Sequence, residues 1–251
     1  MTDQTTDDSI HSAVREHYAT IARAQQSDDA CCASDCCNSL YAAEMLDGLP
    51  DSVTELSLGC GDPVSLADIR TGDSVLDLGS GGGIDCFLAA KRTGPAGHII
   101  GVDMTDEMLA RARANAQRLN AANVEFRRGQ IEALPVDDGA VDVVLSNCVI
   151  NLSPDKPRVF REMFRALKPG GRVAVSDIVT HGARLPLLSD SAETWAACIA
   201  GALDLKEYRA GLEAAGFVDV EIVPKDNPGN KLLARIPAGI PFSAMITARK
   251  A

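Results

Sequence analysis

The chain has 251 residues, 46% of them apolar and 24% charged, enough for one large core with an appendage. Its net charge of -11 argues against a nucleic-acid partner, because phosphate backbones are held by clustered Lys and Arg. No run approaches the roughly 20 apolar residues of a membrane span, and the polar N-terminus lacks a signal peptide's basic-then-apolar layout. A cytoplasmic protein acting on a small substrate is expected.

Residues 1–57 read as an acidic, helical and Cys-rich segment. Val14, Tyr18, Ile21 and Ala22 stand at helical spacing within 14–24. Cys31, Cys32, Cys36 and Cys37 follow, then a short helix near 40–46. From Ser74 the pattern becomes regular. Strands are expected over 74–78, 98–102, 124–127, 141–146 and 172–177. Helices are expected over 84–91, 106–119 (capped by Thr105) and 156–167, the last ended by Pro169-Gly170-Gly171. Such alternation gives a parallel sheet covered on both faces. The tail reads as a helix over 206–215, then strands over 218–223 and 240–248 joined by a polar loop, an antiparallel hairpin at the sheet edge. Residues 178–201, with Trp195 and Cys198, read as an insertion between strand and helix.

The strongest motif runs Val75-Leu76-Asp77-Leu78-Gly79-Ser80-Gly81-Gly82-Gly83-Ile84-Asp85, a buried strand turning through glycines into a helix. Glycines let a backbone approach a ligand closely, and this turn lies at the carboxyl end of its strand. A dinucleotide fold would want a glycine where Ile84 stands, to keep a pyrophosphate at the helix N-terminus. Asp77 could instead face a cationic or amino-bearing ligand, and Asp103 ends the next strand where ribose hydroxyls are usually bound. A glycine turn alone could be only a tight strand–helix connection. Together with Asp103 and Ile131-Glu132-Ala133-Leu134-Pro135 it resembles the class I methyltransferases over roughly residues 74–177.

That resemblance implies a Rossmann-like α/β fold with a mostly parallel seven-stranded sheet, and S-adenosylmethionine as methyl donor. Asp77, Gly79, Ser80, Gly81, Gly83 and Asp85 would hold its methionine part, Asp103 and Met104 its ribose, and Ile131 and Glu132 its adenine. Asn147 would complete the set. Residues 58–177 would form the cofactor-binding domain, and 178–251 the substrate-covering insertion and the end of the sheet.

Eight cysteines in a chain with no export signal are expected to be free thiols that are inert, metal-binding or catalytic. A free cysteine is most often a small buried apolar residue, which suits Cys86 within its helix. Cys60 lies in Gly59-Cys60-Gly61-Asp62-Pro63, which is turn chemistry rather than core. Cys148 follows the fourth strand, at the sheet edge where ligands of open α/β folds bind. Three loops, Gly59-Cys60-Gly61, Ser146-Asn147-Cys148-Val149-Ile150-Asn151-Leu152 and Cys198-Ile199-Ala200-Gly201-Ala202, together resemble the arsenite S-adenosylmethionine methyltransferases, as does Gly101-Val102-Asp103-Met104-Thr105.

This second resemblance implies that Cys60, Cys148 and Cys198 bind As(III), with Cys32 a candidate further thiol. It also implies that arsenite and methylarsenite are the substrates, and that a cellular thiol reductant, glutathione or thioredoxin, is consumed. Soft thiolates suit soft arsenic, whose lone pair carries no proton, so no general base is needed. Two other readings use the same residues: a small-molecule C- or O-methyltransferase with incidental cysteines, and a thiol-rich metalloid-binding protein without turnover. Oligomeric state is not legible in the sequence.

Overall fold

The computed structural model describes residues 2–24, 40–54, 59–182, 195, 198–225 and 236–251. The cysteines at 31, 32, 36 and 37 lie outside the described residues, as do most of the expected insertion and most of the polar loop near the C-terminus.

Five parallel strands form the centre of the sheet: β1 (Ser74–Leu78), β2 (His98–Asp103), β3 (Val124–Arg128), β4 (Val141–Asn147) and β5 (Leu167–Thr180). A two-residue β6 (Leu203–Asp204) pairs with the end of β5. The hairpin strands β7 (Phe217–Pro224) and β8 (Phe242–Lys250) close the edge antiparallel to β5. The order along the sheet is β3-β2-β1-β4-β5-β8-β7. The seven-stranded path is therefore the expected one, with β6 as an eighth strand beside it.

Helices α1 (Thr2–Ala24), α2 (Ala43–Leu46), α3 (Asp51–Thr54) and α4 (Pro63–Leu66) precede the sheet. Helices α5 (Ile84–Thr93), α6 (Asp106–Leu119), α7 (Lys156–Ala166) and α8 (Leu205–Ala214) are the connections. Alternation along β1 shows how the layers form: Val75 faces the core beneath α5 and α6, while Leu76 and Leu78 face the opposite core beneath α7 and α8. Tyr41, Val53, Val64 and Ala67 join the first of these cores.

Two expectations need correction. Pro169-Gly170-Gly171 does not separate helix from strand: α7 stops at Ala166 and β5 already begins at Leu167. Gly170, with φ of 76°, absorbs the irregularity while the register on β4 slips between Val141 and Val143. The N-terminal helix reaches back to Thr2 rather than to residue 14. Among the described residues, no helix is long and apolar enough to cross a membrane.

Candidate active site

Strand order reverses between β1 and β4, and such a switch point opens a crevice beyond the carboxyl ends of the strands. Here such a crevice lies at the switch point, walled by the ends of three strands. The end of β1 contributes Gly79 and Ser80, the end of β2 contributes Asp103 and Met104, and the end of β4 contributes Asn147 and Cys148. Ile131 and Glu132 form a further wall, and Asp85 projects from the first turn of α5.

Asp103 is tied on both oxygens. Oδ2 accepts the Gly81 N–H at 2.9 Å and Oδ1 the Thr105 N–H at 2.8 Å, so the acid fixes the glycine turn to the end of β2. Burial raises its pKa, opposed by these hydrogen bonds. Asp85 is buried too; burial pushes it up to about 7 against hydrogen bonds from Asn147 and Tyr41. Glu132 behaves differently. Burial works to raise it, but hydrogen bonds from His11 and Ser153 outweigh that and hold it below the usual range.

Three expected cofactor positions do not line the crevice, and neither do Cys60 and Cys198. Gly81 and Gly83 belong to the turn itself, both with positive φ. Asp77 is buried on the α5 side of β1, where its Oδ2 accepts the Cys86 thiol at 3.2 Å. Cys86 is buried, as its helical position suggested.

At one end of the crevice the three cysteine loops meet. Cys148, Cys198, Leu152 and Val14 form one buried apolar cluster, and Cys60, Met104, Tyr18 and Trp195 pack against it. The Cys198 thiol donates to the Cys148 carbonyl at 2.7 Å. Burial, then the charge of Asp177, push this thiol well above the ordinary value, so it stays protonated here. Cys148 and Cys198 both adopt left-handed backbone conformations, with φ of 58° and 61°, which cost energy for residues with a side chain. Cys60 and Cys148 are joined by a disulfide, which corrects the expectation that all these thiols are free.

The Gly-Cys-Gly sequence has a steric reason. A Cβ on Gly59 would come within 2.3 Å of the Asn147 amide, and one on Gly61 within 2.2 Å of Ser176 Oγ. The loop must lie flat on the sheet edge for Cys60 to reach Cys148.

Residues 69–216 match the methyltransferase domain family. The chain is 45% identical over 230 residues to the arsenite methyltransferase of Halobacterium salinarum, covering 85% of this chain and 58% of that one. It is 37% identical to the arsenite methyltransferase of Aquipseudomonas alcaligenes, covering 87% and 65%. A solved arsenic(III) S-adenosylmethionine methyltransferase from Chlamydomonas reinhardtii is 33% identical, covers 82% of this chain and 71% of its own, and superposes with a TM-score of 0.65. The chain belongs to the arsenite methyltransferase family. It spans about three fifths of the length of the curated relatives it matches.

Several residues of the crevice carry no motif in the sequence. His11, Val14 and Tyr18 of α1 line the crevice, although the helix lies far from it along the chain. Their spacing of three and four residues puts them on one helix face. That spacing was visible for Val14 and Tyr18, but it indicates only that a face is covered, not by what. Tyr41, whose hydroxyl donates to Asp85 at 2.9 Å, and Ser153, which donates to Glu132, carried no motif signal at all.

Proposed function

We propose that this protein moves the methyl group of S-adenosylmethionine to trivalent arsenic, as arsenite and then as methylarsenite, held by Cys60, Cys148 and Cys198. The observation that carries the reading is the meeting of three cysteine loops at one end of a crevice built from a glycine turn and a ribose-type acid. The crevice also suits the donor. The Ser80 hydroxyl is buried in its wall with no hydrogen-bond partner among the described residues, as expected of a group that awaits a polar ligand. Gly79, Ser80 and Asp85 would take the methionine part, Asp103 the ribose, and Ile131 and Glu132 the adenine edge. Bound there, S-adenosylmethionine would supply an electrophilic methyl carbon, open to the arsenic lone pair without any proton transfer.

The residues contribute orientation. Three sulfurs on separate loops fix the metalloid from one side and leave its lone pair facing the donor, an alignment worth up to ~7–11 kcal/mol in favourable cases. The Cys60–Cys148 disulfide gives the cellular thiol its role. Methyl transfer would consume the arsenic lone pair and leave the metalloid oxidised by two electrons. Departure of the Cys60 and Cys148 sulfurs as their disulfide would return those electrons and leave methylarsenite. Two equivalents of glutathione, or one reduced thioredoxin, would then reduce the disulfide and regenerate both thiols for arsenic. Such a cycle suits a cytoplasmic location, where thiol pools are kept reduced.

The test is release of S-adenosylhomocysteine by the purified chain in excess glutathione, with and without arsenite. Arsenite-dependent release is expected. Turnover indifferent to arsenite would move the acceptor elsewhere.

A further inference from the structure

The motifs that bind the cofactor account for its two ends and leave its charged centre unassigned. A sulfonium joins the methionine part, expected at Gly79 and Asp85, to the ribose, expected at Asp103. Its methyl must face the cysteines. Whatever surrounds that sulfur must therefore touch both the ribose end and the thiol cluster.

Tyr18 occupies that junction. It lines the crevice together with Met104, next to the ribose acid, and both pack against the apolar cluster that contains Cys148 and Cys198. Its electrostatic neighbours point the same way: burial, then Cys198, Asp103 and Asp177, hold its phenol well above the ordinary value, so the ring stays neutral. The helix that carries it is pinned at two places. His11 Nε2 donates to Glu132 at 2.9 Å, and Arg23 to Glu107 at 2.7 Å, while Val14, Ala19 and Ala22 are buried between them. The ring is thus held by the fold rather than by a loose terminus.

We propose that the aromatic ring of Tyr18 is the face on which the sulfonium cation rests, making α1 part of the methyl-transfer site. An aromatic face stabilises a cation through its quadrupole. Unlike a carboxylate, it offers the methyl carbon no competing nucleophile. The inference rests on S-adenosylmethionine being the ligand of the crevice.

The sign of the cofactor's charge gives the test. S-adenosylmethionine carries the sulfonium, whereas S-adenosylhomocysteine is a neutral thioether of nearly the same shape. Calorimetric titration of both into wild type, Tyr18→Phe and Tyr18→Leu separates ring chemistry from bulk. Tyr18→Leu should bind S-adenosylmethionine about tenfold more weakly and S-adenosylhomocysteine nearly as well as wild type, while Tyr18→Phe keeps both affinities. Equal weakening of both ligands in Tyr18→Leu would overturn the proposal and leave α1 a plain cover. If Tyr18→Leu does not fold, Tyr18→Met provides a flexible non-aromatic side chain for the same comparison. Failure of wild type to bind either ligand would refute the cofactor reading itself.

Discussion

The side-chain oxygen of Asn147 accepts the backbone N–H of Cys60 at 2.9 Å and that of Gly61 at 3.3 Å, so the last residue of β4 holds a loop 87 positions away. Its amide nitrogen donates to the Gly61 carbonyl, the Tyr41 hydroxyl and Asp85. Asparagine here is a clasp between the Asp85 side of the crevice and the Cys60 loop. Replacing it by Ala removes the clasp and strands buried polar groups. Asn147→Ala is expected to lose about 1–3 kcal/mol of stability in urea denaturation. It should also speed alkylation of Cys60 in the reduced protein; an unchanged rate would mean the loop is held by other contacts.

Overpacking should disturb the same loop from the other side. Gly59→Ala and Gly61→Ala each force a methyl against Asn147 or Ser176, at a cost of about 1–3 kcal/mol. Both variants are expected to lower the thermal midpoint, whereas Gly72→Ala, with open space at its Cβ but a φ of 87°, meets only backbone strain. Midpoints of the Gly59 and Gly61 variants equal to wild type would show that the loop can lift at no cost.

Asp177 lies beneath the cysteine cluster and is fully buried, with Asn151, Tyr208 and the Ile178 N–H bonded to it and Lys156 and Cys198 as charged or ionisable neighbours. Burial pushes its carboxyl up to about 7, despite those hydrogen bonds and the Lys156 charge. Because the folded value lies above the unfolded one, the folded state holds a proton that the unfolded chain has released between roughly pH 4 and 7. Stability from this group is present below that window and lost as pH rises through it. Asp177→Asn should remove that slope. Relative to the variant, wild type should lose roughly 2–4 kcal/mol of unfolding free energy across the window, measured in urea at several pH values. Parallel curves would place the carboxyl's folded value near the ordinary one.

Arsenic that has gained one methyl group needs only two protein sulfurs. Cys60→Ser is therefore expected to lose methylation of arsenite and keep that of methylarsenite, while Cys148→Ser and Cys198→Ser lose both. Product analysis by mass spectrometry on each substrate decides it. Loss of the second methylation in Cys60→Ser with the first intact would contradict the order.

Much of this site could be read from sequence because its parts sit where strands end. Gly79, Asp103 and Cys148 each follow a periodic apolar run, and a parallel sheet brings such ends together whatever the connections between them. Asp77 shows the limit. Its place before the glycines suggested a ligand, but alternation along β1 turns it towards Cys86, and which face was which depended on the layers above the sheet. The α1 residues were hidden for another reason. Tyr18 and Val14 looked like any covered helix face, and only tertiary packing decides that they cover the crevice. The disulfide was equally unreadable, since spacing along a chain does not report the distance between two cysteines 88 residues apart.

The most direct test of the central claim is transfer of labelled methyl from S-adenosylmethionine to arsenite in excess glutathione, comparing wild type with Cys148→Ser. The account predicts methylated arsenic from wild type and none from the variant, with cofactor affinity preserved in both. Equal methylation by the two proteins would show that the cysteine cluster at the end of the crevice does not hold the acceptor.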